Sequence, residues 1–261
     1  MKKHPAQEWE RKLLLPDPQF AALLSELRVK KEIGGLRVFP AARLHLQDQY
    51  FDTAEQNLQQ TLYSLRLRSG EEKLRLTLKG PAEPAADPSL KRMEWEDAFS
   101  QAFLKKIINH LREQGMQLHF SHESLNGAEA AESLLKKAGF QLIQRRNTIR
   151  ETFLLKQNGK TVAELAADRV EYGLPEGSIF HSELEIELKN SGNFYIFKKI
   201  IPALNTGYGG ELKNWTISKL QLGEFLKKHS GEMRKKGFIT GERKITNEGY
   251  ECIRKEAGQN E

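Results

Sequence analysis

Glu8-Trp9-Glu10-Arg11-Lys12, close to the start of the chain, is the stretch on which the reading turns. In a strand, successive side chains point to opposite faces, so Glu8, Glu10 and Lys12 share one face. Two carboxylates and an ammonium in one file make a poor core. They make a sensible holder for a metal ion beside a phosphate.

The same pattern recurs along the chain. Leu65 and Leu67 alternate with Arg66 and Arg68. After Ser69-Gly70, Leu74, Leu76 and Leu78 alternate with Lys73, Arg75, Thr77 and Lys79, which predicts a hairpin with one apolar and one cationic face. Arg92, Glu94 and Glu96 alternate with Met93 and Trp95, and Glu183, Glu185 and Glu187 with Leu184, Ile186 and Leu188. Further strands are expected over 8–14, 44–51, 141–156 and 162–170, the last holding Glu164 and Asp168, with a turn at Gln157-Asn158-Gly159-Lys160.

Helices fit between them. Asp17-Pro18 reads as a helix start ahead of Phe20, Leu23, Leu24 and Leu27. Phe103, Ile107 and Leu111 mark a helix over 101–115, with Gly115 at its C-terminal end, and a second is expected over 126–139. Helices are also expected over 193–201 and 215–229, with a loop over 202–210. Residues 231–261 are charged, weakly patterned and expected to be partly disordered.

One charged strand face in water is ordinary for an antiparallel sheet. Here at least five strands carry mainly long ionisable groups on the polar side. If the sheet closes, those faces converge inward, where charges are costly unless they pair, bind metal or bind a charged ligand. The fold expected is therefore α+β: a closed eight-stranded antiparallel β-barrel with a charged tunnel and helices packed outside. Residues 1–229 would form this domain, with a helical insertion at about 99–140, and 230–261 a charged C-terminal extension.

Bulk composition agrees with a small anionic ligand. The 261 residues include 41 Lys and Arg against 35 Asp and Glu, a net charge of +6. The mild excess points to phosphates, nucleic acid or a membrane surface, and both signs must be used somewhere. Arg66, Arg68, Lys73, Arg75, Lys79, Arg92, Arg150 and Lys219 form a cationic set suited to several phosphates. Glu8, Glu10, Glu94, Glu96, Asp168, Glu183, Glu185 and Glu187 form an acidic set that would repel a polyphosphate unless a divalent cation stood between. Hard oxygen donors suit Mg²⁺ or Mn²⁺. A single cysteine, Cys252, excludes an internal disulfide. No apolar run reaches the roughly 18 residues of a membrane helix, and the N-terminus lacks a signal peptide's apolar segment. A soluble protein of a reducing compartment, the cytoplasm, is expected, with no membrane partner.

Read together, these motifs resemble the CYTH family, the triphosphate tunnel metalloenzymes. Glu8-x-Glu10-x-Lys12 is similar to the family's ExExK signature. It is followed in family order by Tyr50-Phe51-Asp52-Thr53, Leu65-Arg66-Leu67-Arg68, Leu76-Thr77-Leu78-Lys79-Gly80 and Arg92-x-Glu94-x-Glu96. Asp168-Arg169-Val170-Glu171, Glu183-x-Glu185-x-Glu187 and Ser218-Lys219 come next. The resemblance implies an eight-stranded tunnel that binds a triphosphate with a divalent metal. It implies metal ligands at Glu8, Glu10, Asp168, Glu185 and Glu187, with Glu183 at the tunnel mouth. It implies phosphate contacts at Lys12, Arg66, Arg68, Arg92, Arg150 and Lys219. Lys79 matches a lysine offered as a general base in some members, and a phosphate clamp is its other reading. The chain departs from the family at Thr148, where a lysine is usual two residues before Arg150.

The activity the resemblance implies is hydrolysis of a small-molecule triphosphate, most simply inorganic triphosphate. Class IV adenylate cyclase and thiamine triphosphatase are alternatives. A non-catalytic polyphosphate- or RNA-binding barrel is a third class, against which the acidic set argues. His119 and His122 read as surface residues, Cys252 as inert, and Trp9, Trp95 and Trp215 as packing residues. Arg234-Lys235-Lys236 reads as a solvated charge run, and pairing into a homodimer through an outer face stays open.

Overall fold

A computed structural model describes residues 6–15, 19–70, 72–84, 89–116, 118, 131–189, 193–207 and 212–257. His119, His122, Asp17-Pro18 and the first residues of the helix expected from 126 lie outside the described residues.

The eight long strands are β1 (Ala6–Leu14), β3 (Leu36–Thr53), β4 (Ser64–Ser69), β5 (Arg75–Pro84), β6 (Leu90–Ala98), β7 (Phe140–Gln157), β8 (Lys160–Tyr172) and β9 (Ile179–Leu188). Two-residue strands β2 (Glu32–Ile33) and β10 (Lys213–Asn214) are added. Helices are α1 (Gln19–Val29), α2 (Asn57–Gln60), α3 (Gln101–Glu113), α4 (Ala131–Lys137), α5 (Tyr195–Gly207), α6 (Lys219–Lys235) and α7 (Asn247–Glu256). Hydrogen bonding orders the strands β10-β1-β6-β5-β4-β3-β7-β8-β9, and β1 pairs again with β9. The eight long strands thus close on themselves as a ring, the α+β arrangement the charge alternation demands.

By contacts the chain divides into two compact units. One comprises Met1–Gln7, Leu46–Glu83 and Arg92–Arg145, the other Glu8–His45, Pro84–Lys91 and Arg146–Glu261.

In the first unit, β4 pairs with β3 and β5, with Leu65 opposite Leu78 and Leu67 opposite Leu76. These leucines pack with Trp95 of β6, with Phe103, Ile107 and Leu111 of α3, and with Leu134 and Leu135 of α4. Ser100 caps α3 by accepting from the Phe103 amide, and Gly115 takes φ +82° beyond its end. Asp52 of the Tyr50-Phe51-Asp52-Thr53 motif has a structural task. Its carboxylate accepts from the amides of Thr53, Leu58 and Gln59 at 2.7, 2.8 and 3.0 Å and so fixes the turn into α2.

In the second unit, β7 and β8 form a long hairpin, with Gln157 opposite Lys160 across Asn158 (φ +49°) and Gly159 (φ +77°). Two positive φ values in a two-residue loop are what a primed hairpin turn needs, and Asn-Gly supplies them cheaply. One face of this sheet packs Leu13, Leu165, Leu184 and Ile186 against α1 and α5. At one end of the opposite face, Leu14, Val170, Tyr172 and Ile179 pack against Trp215, α6 and α7.

Four expectations are corrected here. Lys73 and Leu74 precede β5 and are exposed in the turn. The helix from 193 does not end before Pro202 but runs to Gly207, because Ile196, Phe197, Ile200 and Leu204 form one buried face that outweighs a lost amide donor. Trp215 does not open the last expected helix. That helix starts at Lys219, where Ser218 and Gln221 form a reciprocal capping box. Residues after Gly231 are not disordered through the described part: α6 continues to Lys235 and α7 follows, with Met233, Ile239, Ile245, Tyr250 and Ile253 in the core. Their high charge hid a sparse apolar face. No described helix is long and apolar enough to cross a membrane.

Candidate functional site

The charged face of the second unit is built by register. Lys12 lies opposite Glu185, and Glu10 opposite Glu187, across β1 and β9. On the other side of β9, Glu187 faces Glu164 and Glu183 faces Asp168 of β8. Asp168 in turn faces Arg150 of β7. The period of two thus puts Glu10, Lys12, Arg150, Asp168 and the three glutamates of β9 on one face. Much of this face is buried: Glu10, Lys12, Asp168 and Glu183 are 3%, 4%, 0% and 0% exposed.

Two cations hold three carboxylates there. Arg150 donates in a fork to Asp168, Nε to Oδ1 at 2.7 Å and Nη2 to Oδ2 at 2.5 Å, and reaches Glu185 Oε2 at 2.5 Å. The Lys219 ammonium contacts Glu183, lies 2.6 Å from Glu185 Oε1 and 2.9 Å from Asp168 Oδ2. Oxygens of Asp168, Glu183 and Glu185 all lie within 4.8 Å of one another, a spacing that suits a cation. Lys219 supplies that cation. The Tyr172 hydroxyl donates to the Lys219 carbonyl at 3.0 Å, and the Ser218 cap starts the helix, so the backbone of Lys219 is pinned too. Lys12 donates its ammonium proton to the Ile217 carbonyl at 3.0 Å.

Burial alone would raise the Glu183 and Glu185 carboxyls. Lys219 together with His181 at Glu183, and Lys219 together with Arg150 at Glu185, outweigh it, and both sit below the usual carboxylate range. Burial likewise disfavours the Lys219 cation, and Glu183, Glu185 and Asp168 more than restore it. Glu187 behaves oppositely. Burial pushes its carboxyl up, the Lys189 ammonium at 3.0 Å opposes this, and the charges of Glu8 and Glu164 add to it.

The first unit carries the second set of charges. Arg66 and Arg68 of β4 face Thr77 and Arg75 of β5. Arg68 forks onto Asp48, Nε to Oδ1 at 2.7 Å and Nη2 to Oδ2 at 2.9 Å. Arg66 donates to Thr77 Oγ1 and Glu96 Oε2, each at 3.2 Å, and Thr77 donates to the same Glu96 oxygen at 2.7 Å. Arg75 stands 3.6 Å from Glu96, and Lys79 3.1 Å from Glu94. Burial disfavours the Arg66 cation, but Asp48, Tyr50, Glu96 and Glu94 raise it above its usual value. Arg92 shares the alternating positions of Glu94 and Glu96 on β6.

Of the expected residues, the second unit brings together Lys12, Arg150, Asp168, Glu183, Glu185 and Lys219, with Glu10 beside Glu187 and Glu8 acting on Glu187. The first unit groups Arg66, Arg68, Arg75, Lys79, Glu94 and Glu96. Lys73 is in neither group. Glu183 is not at a mouth but fully buried, because both its oxygens are bonded, one to Lys219 and one to His181. Asp48 and His181 were missed, and Glu164 was read on its strand but not in the site. Asp48 and Glu164 meet their partners only when strands are set in register, and His181 meets Tyr250 only when α7 arrives from far along the chain.

An antiparallel sheet closed by the pairing of β1 with β9, with acids and bases paired across its strands, sets the fold class. The CYTH domain model matches residues 6–194, and the chain belongs to the CYTH family. Solved structures share the fold. A Hippeastrum protein, a candidate adenylyl cyclase with a dominant triphosphatase activity, is 19% identical with a TM-score of 0.56, covering 84% of this chain and 96% of its own. A candidate adenylate cyclase from Bacillus halodurans is 18% identical with a TM-score of 0.52, covering 82% and 95%. The PH1819 protein of Pyrococcus horikoshii is 18% identical with a TM-score of 0.51, covering 85% and 99%. Among curated proteins, none matches by sequence.

Proposed function

We propose that this protein is a divalent-metal-dependent hydrolase of triphosphate substrates, with inorganic triphosphate the simplest. One observation carries the reading: on a single strand face, the crowded carboxylates Glu10, Glu187 and Glu164 stand in register one row from Lys12 and Glu185. Glu187 sits there with a raised carboxyl. A divalent cation would relieve that repulsion, and carboxylate oxygens are suitable donors for Mg²⁺ or Mn²⁺. Glu8, Glu10 and Glu187 would hold it, with Glu185 in the adjoining row and Asp168, opposite Glu183, in the row beyond. When bound, such an ion neutralises phosphate oxygens and supplies an activated water.

The chain's own residues bind and orient the phosphates. In the second unit Lys12, Arg150 and Lys219 are the phosphate contacts proposed; Arg66, Arg68, Arg75 and Arg92 are the cations of the first unit suited to the same role. Arginine forks suit phosphate oxygens in the way they already suit Asp48 and Asp168. Lys79, 3.1 Å from Glu94, is proposed as a phosphate clamp, and its general-base reading rests on the resemblance. In the reaction a water oxygen bonds to the terminal phosphorus as the bridging P–O bond breaks; the water's proton passes to solvent, the bridging oxygen departs on pyrophosphate, and the terminal group becomes orthophosphate.

The test is incubation with inorganic triphosphate, ATP and thiamine triphosphate, each with Mg²⁺ or Mn²⁺. Orthophosphate from inorganic triphosphate supports the reading. Cyclic AMP from ATP would replace it with a class IV adenylate cyclase, and exclusive cleavage of thiamine triphosphate with a thiamine triphosphatase. Triphosphate binding without turnover, unaffected by chelator, would leave a non-catalytic binder.

A further inference from the structure

Behind Glu183 a chain of hydrogen bonds leads away from the site and into the C-terminal helix. Glu183 Oε2 lies 2.8 Å from His181 Nε2, and His181 Nδ1 lies 2.9 Å from the Tyr250 hydroxyl. His181, Glu183 and Tyr250 are all buried. The His181 ring is walled by Trp215 and Tyr250, with ring centres 5.7 and 5.6 Å away, and Trp215 and Tyr250 meet edge to face at 5.5 Å. Tyr250 lies on α7, beyond residue 194 where the family match ends.

The protons can be assigned from the network. A carboxylate only accepts, so Nε2 carries a hydrogen toward Glu183, and a neutral ring then presents Nδ1 as the acceptor of the Tyr250 hydroxyl hydrogen. With Oε2 held in this way, Oε1 faces the Lys219 ammonium. Glu183 is therefore no freely swinging carboxylate. It is a bracket, fixed on one side by His181 and closed on Lys219 on the other.

We propose that His181 and Tyr250 are positioning residues that act through Glu183 to fix the Lys219 ammonium where it meets the substrate's phosphates. The C-terminal helix is thereby part of the site. This rests on the reading above that Lys219 binds phosphate. Breaking the bracket would leave Lys219 shared between Asp168 and Glu185 in more than one arrangement, weakening phosphate binding first and chemistry second.

The test uses the 261-residue chain and inorganic triphosphate, with binding measured by calorimetry in chelator and hydrolysis measured with Mn²⁺. Changes behind a site residue commonly cost about 10–100-fold. His181→Ala should weaken triphosphate binding by roughly 10-fold or more and raise KM more than it lowers kcat. His181→Gln, which keeps a donor near the Nε2 position, should recover most of the loss. Tyr250→Phe keeps the ring and removes only the hydroxyl, so it should show a smaller loss in the same direction with Tm little changed. If His181→Ala fails to fold, Tyr250→Phe and His181→Gln decide.

Affinity and KM within twofold of wild type in folded variants would overturn the proposal, and so would a fall in Tm without a fall in affinity. Wild-type protein that binds triphosphate but does not hydrolyse it would sink only the hydrolase reading. Wild-type protein that does not bind it would sink both.

Discussion

Lys219 concentrates the physics of the site in one residue. Its side chain is 8% exposed, and its ammonium is shared by Asp168, Glu183 and Glu185. Removing one partner of a buried ion cluster leaves uncompensated charge, which costs about 3–5 kcal/mol. Lys219→Met should lower stability by that amount in a denaturant titration. The pH dependence has a definite sign. Glu183 is drawn from an unfolded value of roughly 4.3 down to about 2. Its contribution is therefore complete above the unfolded value and lost as pH falls through about 2. Lys219 is raised, so its contribution is complete below its unfolded value of roughly 10.4 and lost only at higher pH. Acid unfolding of the wild type should begin only below pH ~4, and in Lys219→Met it should begin at higher pH. Glu187 carries the opposite sign: its raised carboxyl costs stability when ionised. Glu187→Gln should raise the Tm of metal-free protein at neutral pH while weakening Mn²⁺ binding. A variant that lost stability without metal and bound Mn²⁺ normally would remove Glu187 from the ligand set.

At the scale of elements, α6 and α7 decide whether the charged face has a floor. Ser218 sets the first turn of α6 and so the place of Lys219. Ser218→Ala should cost about 1 kcal/mol and weaken triphosphate binding as well. Ile253 of α7 is 1% exposed in the core at one end of that face. Ile253→Ala should cost about 2–5 kcal/mol in equilibrium unfolding, whereas an unfolded tail would show almost none. Strands were far more legible than helix ends. Alternation in Leu65–Arg68, Arg92–Glu96 and Glu183–Glu187 marks both the strand and its polar face, because a strand shows its period in a few residues. The helix through Pro202 was hidden by a local breaker that packing of Ile200 and Leu204 overrides. The tail was hidden by its charge, since Tyr250 and Ile253 carry the buried face among residues such as Glu251 and Arg254.

For the molecule as a whole, the charge pattern and the family motifs make the ring of strands readable in the sequence. So are most members of the charged rows: Glu10, Lys12, Arg66, Arg68, Asp168 and Glu185 can be named from spacing and resemblance. What stayed hidden was pairing across strands. Nothing near Asp48 in sequence says that it will fork with Arg68, and nothing near His181 points to Tyr250. Such partners depend on register and on a helix arriving from far along the chain. The net charge of +6 should make triphosphate binding weaken with added salt, through screening of the exposed surface, while the buried pairs respond less.

The most direct test of the central claim is orthophosphate release from inorganic triphosphate, measured with Mg²⁺ or Mn²⁺, with chelator, and in Glu10→Gln. The expected result is metal-dependent release that chelator abolishes and that Glu10→Gln lowers by at least about 10-fold. Release by Glu10→Gln at the wild-type rate and with the same metal dependence, or no metal-dependent release from the wild type, would contradict it.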